Sequence, residues 1–255
     1  MRVFFLAPDQ AGPPRPGARV VLDREESHHA LTVLRRAERD PVALVDGEGG
    51  RFTARLADRD GKLAVLEILT ADHDDREVAA PRLCLACGVV KGRHWEWVLE
   101  KSVELGVHRL VPLLTEHGVV EPREGRRERW LAVMRAALKQ SHRAWLPELD
   151  EPATLAAFLK ERPAGPLWFG AVPDERLAEP AEPAAPAAAA WLTAAVGPEG
   201  GWSSAERAAL LGSGAEVLDL GPHVLRTETA AAASLVVLQG LRRRALLDSG
   251  GPAGI

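Results

Sequence analysis

Val196-Gly197-Pro198-Glu199-Gly200-Gly201-Trp202-Ser203-Ser204-Ala205-Glu206 is the stretch on which the fold turns. The apolar run 192–196 before it reads as a strand. Ser203, with Glu206 three residues on, has the capping-box spacing that opens a helix. A strand therefore runs through a glycine-rich loop into a capped helix. Three glycines around a Pro-Glu exceed what an ordinary strand-to-helix turn needs. They permit φ > 0 and leave main-chain N–H and C=O groups bare, so the loop can grip a ligand by its backbone.

A second stretch repeats the plan: Leu218-Asp219-Leu220-Gly221-Pro222-His223-Val224-Leu225-Arg226-Thr227-Glu228-Thr229-Ala230. A strand over 217–220 ends in a Gly-Pro loop, and the loop delivers four polar side chains, 226–229, to the start of a helix over 229–247. Ligands of open α/β sheets bind beyond the carboxyl ends of strands, where both stretches lie. Outward from them, strands at 83–90, 110–114, 167–171 and 192–196 alternate with helices. One helix is carried by Trp95, Val98, Leu99, Ser102 and Leu105 and stops at Gly106; another carries Trp130, Val133, Met134, Ala137, Leu138 and Ser141. This rhythm predicts an α/β domain over 82–250 with a mainly parallel sheet between helices. Residues 178–190, rich in Ala, Pro and Glu, read as a variable loop.

The front of the chain differs. Short strands over 2–7, 18–22, 41–45, 51–56 and 62–68, turns at Asp46-Gly47 and Asp60-Gly61, and one helix near 25–37 fit a compact β-barrel domain over 1–72. Residues 73–81, ending in Ala80-Pro81, read as a linker.

The 255 residues are 46% hydrophobic and 27% charged, enough for a buried core. No apolar run reaches the length of a membrane span. The N-terminus is too short for a signal peptide and lacks a cleavage site, so a cytoplasmic location is expected. Cys84 and Cys87 form a lone C-x-x-C inside a strand, where alternation points them to opposite faces; they read as buried structural thiols. Nucleotide signatures of the G-x-G-x-x-G and P-loop kinds are absent, and no cluster has metal-ligand spacing, so no metal is expected. The net charge of −4 is uninformative, but residues 122–145 hold seven Arg or Lys against two Glu, and Arg242-Arg243-Arg244 is a second basic cluster. A basic stripe is either a phosphate footprint or a solvated helix face.

Glu100-Lys101-Ser102-Val103-Glu104-Leu105-Gly106-Val107, then Gln140-Ser141-His142-Arg143 with Pro147, then 197–201 and 220–230, with His29-x-x-x-Val33-Leu34-Arg35 in front, resemble the RsmE family in order and spacing over nearly the whole chain. These are 16S ribosomal RNA uridine N3-methyltransferases of the SPOUT superfamily. Two positions depart from the family pattern: Lys139 stands where Glu usually precedes Gln-Ser, and Thr32 where Arg often precedes Val-Leu-Arg.

The resemblance implies a PUA-like N-terminal domain, a C-terminal α/β-knot (a deep trefoil knot) and a homodimer. It implies S-adenosylmethionine held largely by main chain at Phe169, Gly170, Gly197, Glu199, Gly200, Gly201, Leu220, Gly221, Val224, Leu225 and Arg226. The substrate implied is 16S ribosomal RNA in the small subunit. Uracil N3–H is a weak acid, so its anion must be stabilised or a base supplied. Arg226 is the candidate for orienting the base and stabilising its anion, and Glu228 or Glu199 for accepting the proton. RNA contacts are expected from His28, His29, Arg35, Arg36, Lys91, Arg93 and Arg143. Leu235, Leu238, Leu241 and Leu246 on the last helix offer a face to a symmetric partner. Methylation of ribose 2'-OH or guanine by a SPOUT relative, and a non-catalytic RNA-binding relative, are the alternatives.

Overall fold

A computed structural model of the chain describes residues 1–8, 14–33, 41–118, 125–171, 183–184 and 189–248. The chain divides into two compact units, Met1–Glu77 with Arg135–Leu146, and Val78–Met134 with Pro147–Ile255.

The first unit is built on a five-stranded sheet. Its strands are β1 (Val3–Phe5), β2 (Arg19–Val21), β3 (Val42–Val45), β4 (Gly50–Asp60) and β5 (Leu63–His73), in the order β1-β3-β4-β5-β2. β1 and β3 are parallel and the remaining pairs antiparallel. Helix α1 (Arg24–Val33) adds Ala30 to a core of Phe4, Leu22, Leu44, Phe52, Leu66 and Ile68. β4 and β5 outrun their expected ends, β4 through Asp58–Asp60 and β5 through Thr70–His73, exposed residues that keep the backbone ladder against Leu63–Val65 and Gly50–Thr53. The turn at Gly61 makes this possible with φ 59°.

Residues 73–81, expected as a linker, hold the boundary between the two units and carry structure of their own. His73 still belongs to β5, a 3₁₀ turn spans Arg76–Val78, and Asp74 accepts from Arg51 Nε at 3.3 Å. Glu77 pairs with Arg143. Trp145 donates to the Asp74 carbonyl at 2.6 Å, and its ring packs where a Cβ at Gly49 (φ 96°) would lie 2.6 Å away. The segment is ordered because its carboxylates meet arginines that stand far off in sequence.

The second unit carries a seven-stranded sheet whose recorded pairs are all parallel. It comprises β6 (Arg82–Gly88), β7 (Arg109–Leu114), β8 (Glu148–Leu149), β9 (Ala153–Thr154), β10 (Leu167–Gly170), β11 (Trp191–Val196) and β12 (Glu216–Leu218). The order is β12-β10-β11-β6-β7-β8, with β9 against β7. All of β6 after Arg82 is buried, as befits a strand covered on both faces. Helices α2 (Arg93–Glu104) and α6 (Thr227–Asp248) pack together, and α6 also lies on β6 and β11. Helices α4 (Leu155–Glu161) and α5 (Ser204–Gly212) cover the other face through Leu155, Phe158 and Leu210. Helix α3 (Arg126–Ser141) is shared, 126–134 counting with the second unit and 135–141 with the first.

α2 ends as its glycine foretold: Gly106 has φ 78°, and Gln239 of α6 donates to the Leu105 carbonyl at 2.8 Å. α6 starts two residues before its expected beginning, which puts Thr227 and Glu228 in its first turn. The leucines expected to face a partner, Leu235, Leu238, Leu241 and Leu246, are at most 9% exposed. That face is spent on the chain's own core, because α6 must cover β6 and β11. The apolar side chains that α6 leaves exposed among the described residues are Val236 and Leu247. No helix there is long and apolar enough to cross a membrane.

Candidate active site

The end of β10 and the loops after β11 and β12 meet at the carboxyl ends of their strands and line a cleft. Main chain and apolar groups dominate its walls. Gly170, Ala171, Val196, Gly197, Pro198 and Gly201 come from the first two of these segments, and Leu220, Gly221, His223, Val224 and Leu225 from the third, with Trp202, Thr227 and Ala230 completing the lining. The capping box forms as read: Ser203 Oγ accepts from Glu206 N at 3.2 Å, and Glu206 Oε2 accepts from Ser203 N at 2.9 Å. Glu206 also accepts from Glu116 N at 2.9 Å, which ties the loop after β7 to the start of α5.

The glycines have distinct reasons. Gly201 and Gly221 hold φ of 68° and 104°, conformations that L side chains rarely adopt. Trp202 donates its indole N–H to the Gly170 carbonyl at 2.8 Å, joining two loops. A Cβ at Gly197 would press on the Trp202 ring at 3.3 Å. Gly88, at the end of β6, was missed in sequence: a Cβ there would stand 2.7 Å from the Pro198 nitrogen, so the loop can seat itself only over a glycine. Gly200 faces away from the cleft, with its carbonyl accepting from His117 Nδ1 at 3.0 Å and its Cα against the His117 side chain. This cradle fits a ligand with flat and apolar parts bound through backbone polar groups, as S-adenosylmethionine would require.

A second, more open chamber of about 990 Å³ adjoins the same wall. Arg93, His94, Glu96, Trp97 and Glu100 of α2 line it with Arg226, Glu228 and Thr229. Leu225, Thr227 and Ala230 face the cleft while Arg226, Glu228 and Thr229 face the chamber, so one strip of chain divides the two. His94 Nδ1 lies 2.8 Å from Glu228 Oε1. Glu96 pairs with Arg129, and Glu100 with Lys101, whose ammonium also bonds Glu104 and sits 5.9 Å from the Trp97 ring centre. These carboxylate hydrogen bonds raise the Lys101 pKa.

Four of the expected cofactor residues do not line the cleft. Phe169 is fully buried in the sheet, Glu199 and Gly200 are exposed outside the cleft lining, and Arg226 lines the chamber. Of the residues expected at RNA, His28 and His29 are exposed on α1, His29 against the Phe4 ring at 5.6 Å, and Lys91 and Arg93 are exposed before and at the start of α2. Arg35 and Arg36 lie outside the described residues. Arg143 is a correction: it is 8% exposed and paired with Glu77, and burial lowers its pKa against the opposing pull of that carboxylate.

Most of the described side chains of the basic stripe are likewise paired within the chain, Arg127 and Arg129 while remaining exposed. Arg127 pairs with Glu151, Arg129 with Glu96, and Lys139 with Glu26, while Arg135 sits over the Phe5 ring at 5.2 Å. Lys139, the departure from the family pattern, answers a carboxylate only 6% exposed. The other departure, Thr32, bonds the His28 carbonyl at 2.7 Å. In the second cluster, Arg242 is 2% exposed and donates to the Pro81 carbonyl at 2.8 Å.

Cys84 and Cys87 are free and buried. Burial drives the Cys84 thiol from 9.0 up to about 12 and raises Cys87 further, so neither is a nucleophile near neutrality. No group of His, Cys, Asp and Glu among the described residues could hold a metal ion.

Comparison with known proteins agrees with this geometry. A family model described as an RNA methyltransferase domain matches residues 78–239, and one described as an RNA methyltransferase PUA domain matches 22–69. The ribosomal RNA small subunit methyltransferase E of Synechocystis is 32% identical over 88% of this chain and 74% of its own. That of Mycobacterium tuberculosis is 33% identical over 87% and 86%. The crystal structure of the Neisseria gonorrhoeae enzyme of the same name, bound to S-adenosyl methionine, superposes with a TM-score of 0.79 at 30% identity, covering 94% of this chain and 98% of that one.

Proposed function

The chain belongs to the ribosomal RNA small subunit methyltransferase E family, and we propose that it transfers a methyl group from S-adenosylmethionine to N3 of a uridine in 16S ribosomal RNA of the small subunit. The observation that carries this reading is the strip 225–230, which faces a main-chain cradle on one side and a polar chamber on the other. When bound, S-adenosylmethionine supplies an electrophilic methyl group on a sulfonium. The residues of this chain that would hold it are the backbone of Gly170, Gly197, Gly201 and Gly221, with Val224 and Leu225 against its apolar parts. Val224, 72% exposed at the rim, is an apolar contact of the kind a ligand covers.

The remaining work is alignment and proton removal. Arg226, exposed in the chamber beside that rim, orients the uracil and stabilises the negative charge on its ring. Glu228 shares the chamber. A base that reacts there must leave its stack, since its reacting atom is otherwise enclosed. The PUA-like unit, through His28 and His29, and the Lys91–Arg93 corner hold the RNA meanwhile.

Further parts of this reading are the knot, the dimer and the location. A trefoil knot is what the family resemblance implies for this unit. A homodimer is supported by Val236 and Leu247, which lie about three helical turns apart on one face of α6. A substrate in the ribosome implies the cytoplasm.

The test is incubation with methyl-labelled S-adenosylmethionine and either naked 16S RNA or assembled small subunits, followed by nucleoside mass spectrometry. N3-methyluridine is expected, with subunits the better substrate because the RNA is read by its folded shape. A methyl group on ribose or guanine overturns the assignment.

A further inference from the structure

We propose that His94 is the group that accepts the N3 proton, with Glu228 as the residue that positions it; the inference rests on the uridine N3 reading above. The two side chains come from different helices, 134 residues apart in sequence, and meet at 2.8 Å in the chamber wall. Glu228 is 12% exposed and lies in the first turn of α6, where the helix dipole favours a carboxylate. A carboxylate only accepts, so His94 Nδ1 carries the hydrogen that joins them. In the neutral ring Nε2 then has a lone pair. The His94 side chain is 52% exposed, so that nitrogen is reachable from the chamber and from water.

The neighbouring charges assign the roles. On α2, Glu96 is answered by Arg129 and Glu100 by Lys101. Arg93 and Arg226 bring positive charge to the chamber, which suits an anionic ring. Glu228 is answered by His94. As classes, an imidazole is a stronger base than a carboxylate by about two pKa units, so it accepts a proton from a weak acid at less cost. The arrangement repeats the logic by which a buried carboxylate fixes the tautomer of a catalytic histidine.

In the step, the N3–H bond breaks and its proton passes to His94 Nε2. The electron pair left on N3 forms the bond to the methyl carbon, and the pair of the breaking carbon–sulfur bond stays with sulfur. The proton then leaves to water through the exposed edge of the ring. Loss of a positioned base costs about 10²–10⁴ in rate.

The test compares wild type, His94→Ala and Glu228→Gln on small subunits in single turnover, with S-adenosylhomocysteine affinity measured by calorimetry. His94→Ala is expected to lose about 10²-fold or more in rate while holding that affinity, and added imidazole to restore part of the loss. RNA carrying 5-fluorouridine, whose N3–H is more acidic, narrows the gap between variant and wild type. Apart from turnover, nitrogen-15 NMR of the ligand-free protein reads the Nδ1–H tautomer at His94 in wild type and its loss in Glu228→Gln. A His94→Ala enzyme at wild-type rate overturns the proposal, as does a loss that neither imidazole nor 5-fluorouridine changes. A wild-type protein that leaves uridine N3 unmethylated overturns instead the reading on which it stands.

Discussion

Replacing Gly88 by alanine perturbs the cleft from behind, through two residues of its lining. The new Cβ would stand 2.7 Å from the Pro198 nitrogen, 3.0 Å from its Cδ and 3.2 Å from the Gly197 carbonyl carbon. The obstacle is main chain and a proline ring, so no rotamer change relieves it, and the loop must retreat from β6 by several tenths of an ångström. Overpacking of this kind costs about 1–3 kcal/mol. For a protein of this size each kcal/mol lowers Tm by about 2–4 °C. Gly197 and Pro198 line the cleft, so the displacement reaches the ligand, and we expect cofactor affinity to weaken by roughly tenfold or more, 1.4 kcal/mol per decade. Calorimetric titration with S-adenosylhomocysteine, paired with thermal melts with and without it, measures both effects. Gly212→Ala is the control, since a Cβ there meets nothing within 4 Å. Wild-type affinity and an unchanged melt in Gly88→Ala would refute the packing argument. A lowered melt with affinity intact would show that the contact stabilises the fold but does not shape the cleft.

Arg226→Ala should cut turnover severely while leaving cofactor affinity within a few-fold, because Arg226 lines the chamber and not the cleft; parallel loss of both would make it a cofactor residue. Glu77→Ala should destabilise the first unit in urea titration, by up to about 3–5 kcal/mol, since it removes the carboxylate paired with the buried guanidinium of Arg143. Arg143→Ala, read beside it, should weaken the fold; a variant that melts normally yet loses RNA affinity would restore Arg143 to the RNA surface. The thiols predict an alkaline limb. Cys84 is held protonated to about 12 in the folded chain against 9.0 for the free group, so its contribution is complete below about pH 9 and lost as pH rises toward 12; stability that stays flat across that range would contradict it. Val236→Glu should convert a dimer to monomers in light scattering at micromolar concentration, and a wild type already monomeric and fully active removes the dimer.

Much of the catalytic unit was legible because its signals are local. A capping box, an apolar strand and a positive-φ glycine each depend on a few neighbouring residues, so Ser203 with Glu206, the run 192–196 and Gly201 could be read directly, and the order of the motifs pointed to the family. The same holds for the two cysteines, which are too few for a disulfide scaffold and whose apolar strand context reads as burial. Charge was not legible in this way. Seven basic residues over 122–145 read as a possible phosphate footprint, yet Arg127, Arg129, Lys139 and Arg143 are paired with Glu151, Glu96, Glu26 and Glu77. All four of those carboxylates lie tens of residues or more away in the chain. A charge shows its sign in sequence but not its partner, and an ion pair exists only where packing brings two side chains within a few ångströms. Close approach has the same character: Gly88 has no unusual φ, and only the arrival of Pro198 from another loop makes its missing Cβ necessary. The meeting of His94 on α2 with Glu228 on α6 is likewise a product of how the two helices pack, and no spacing within either segment announces it.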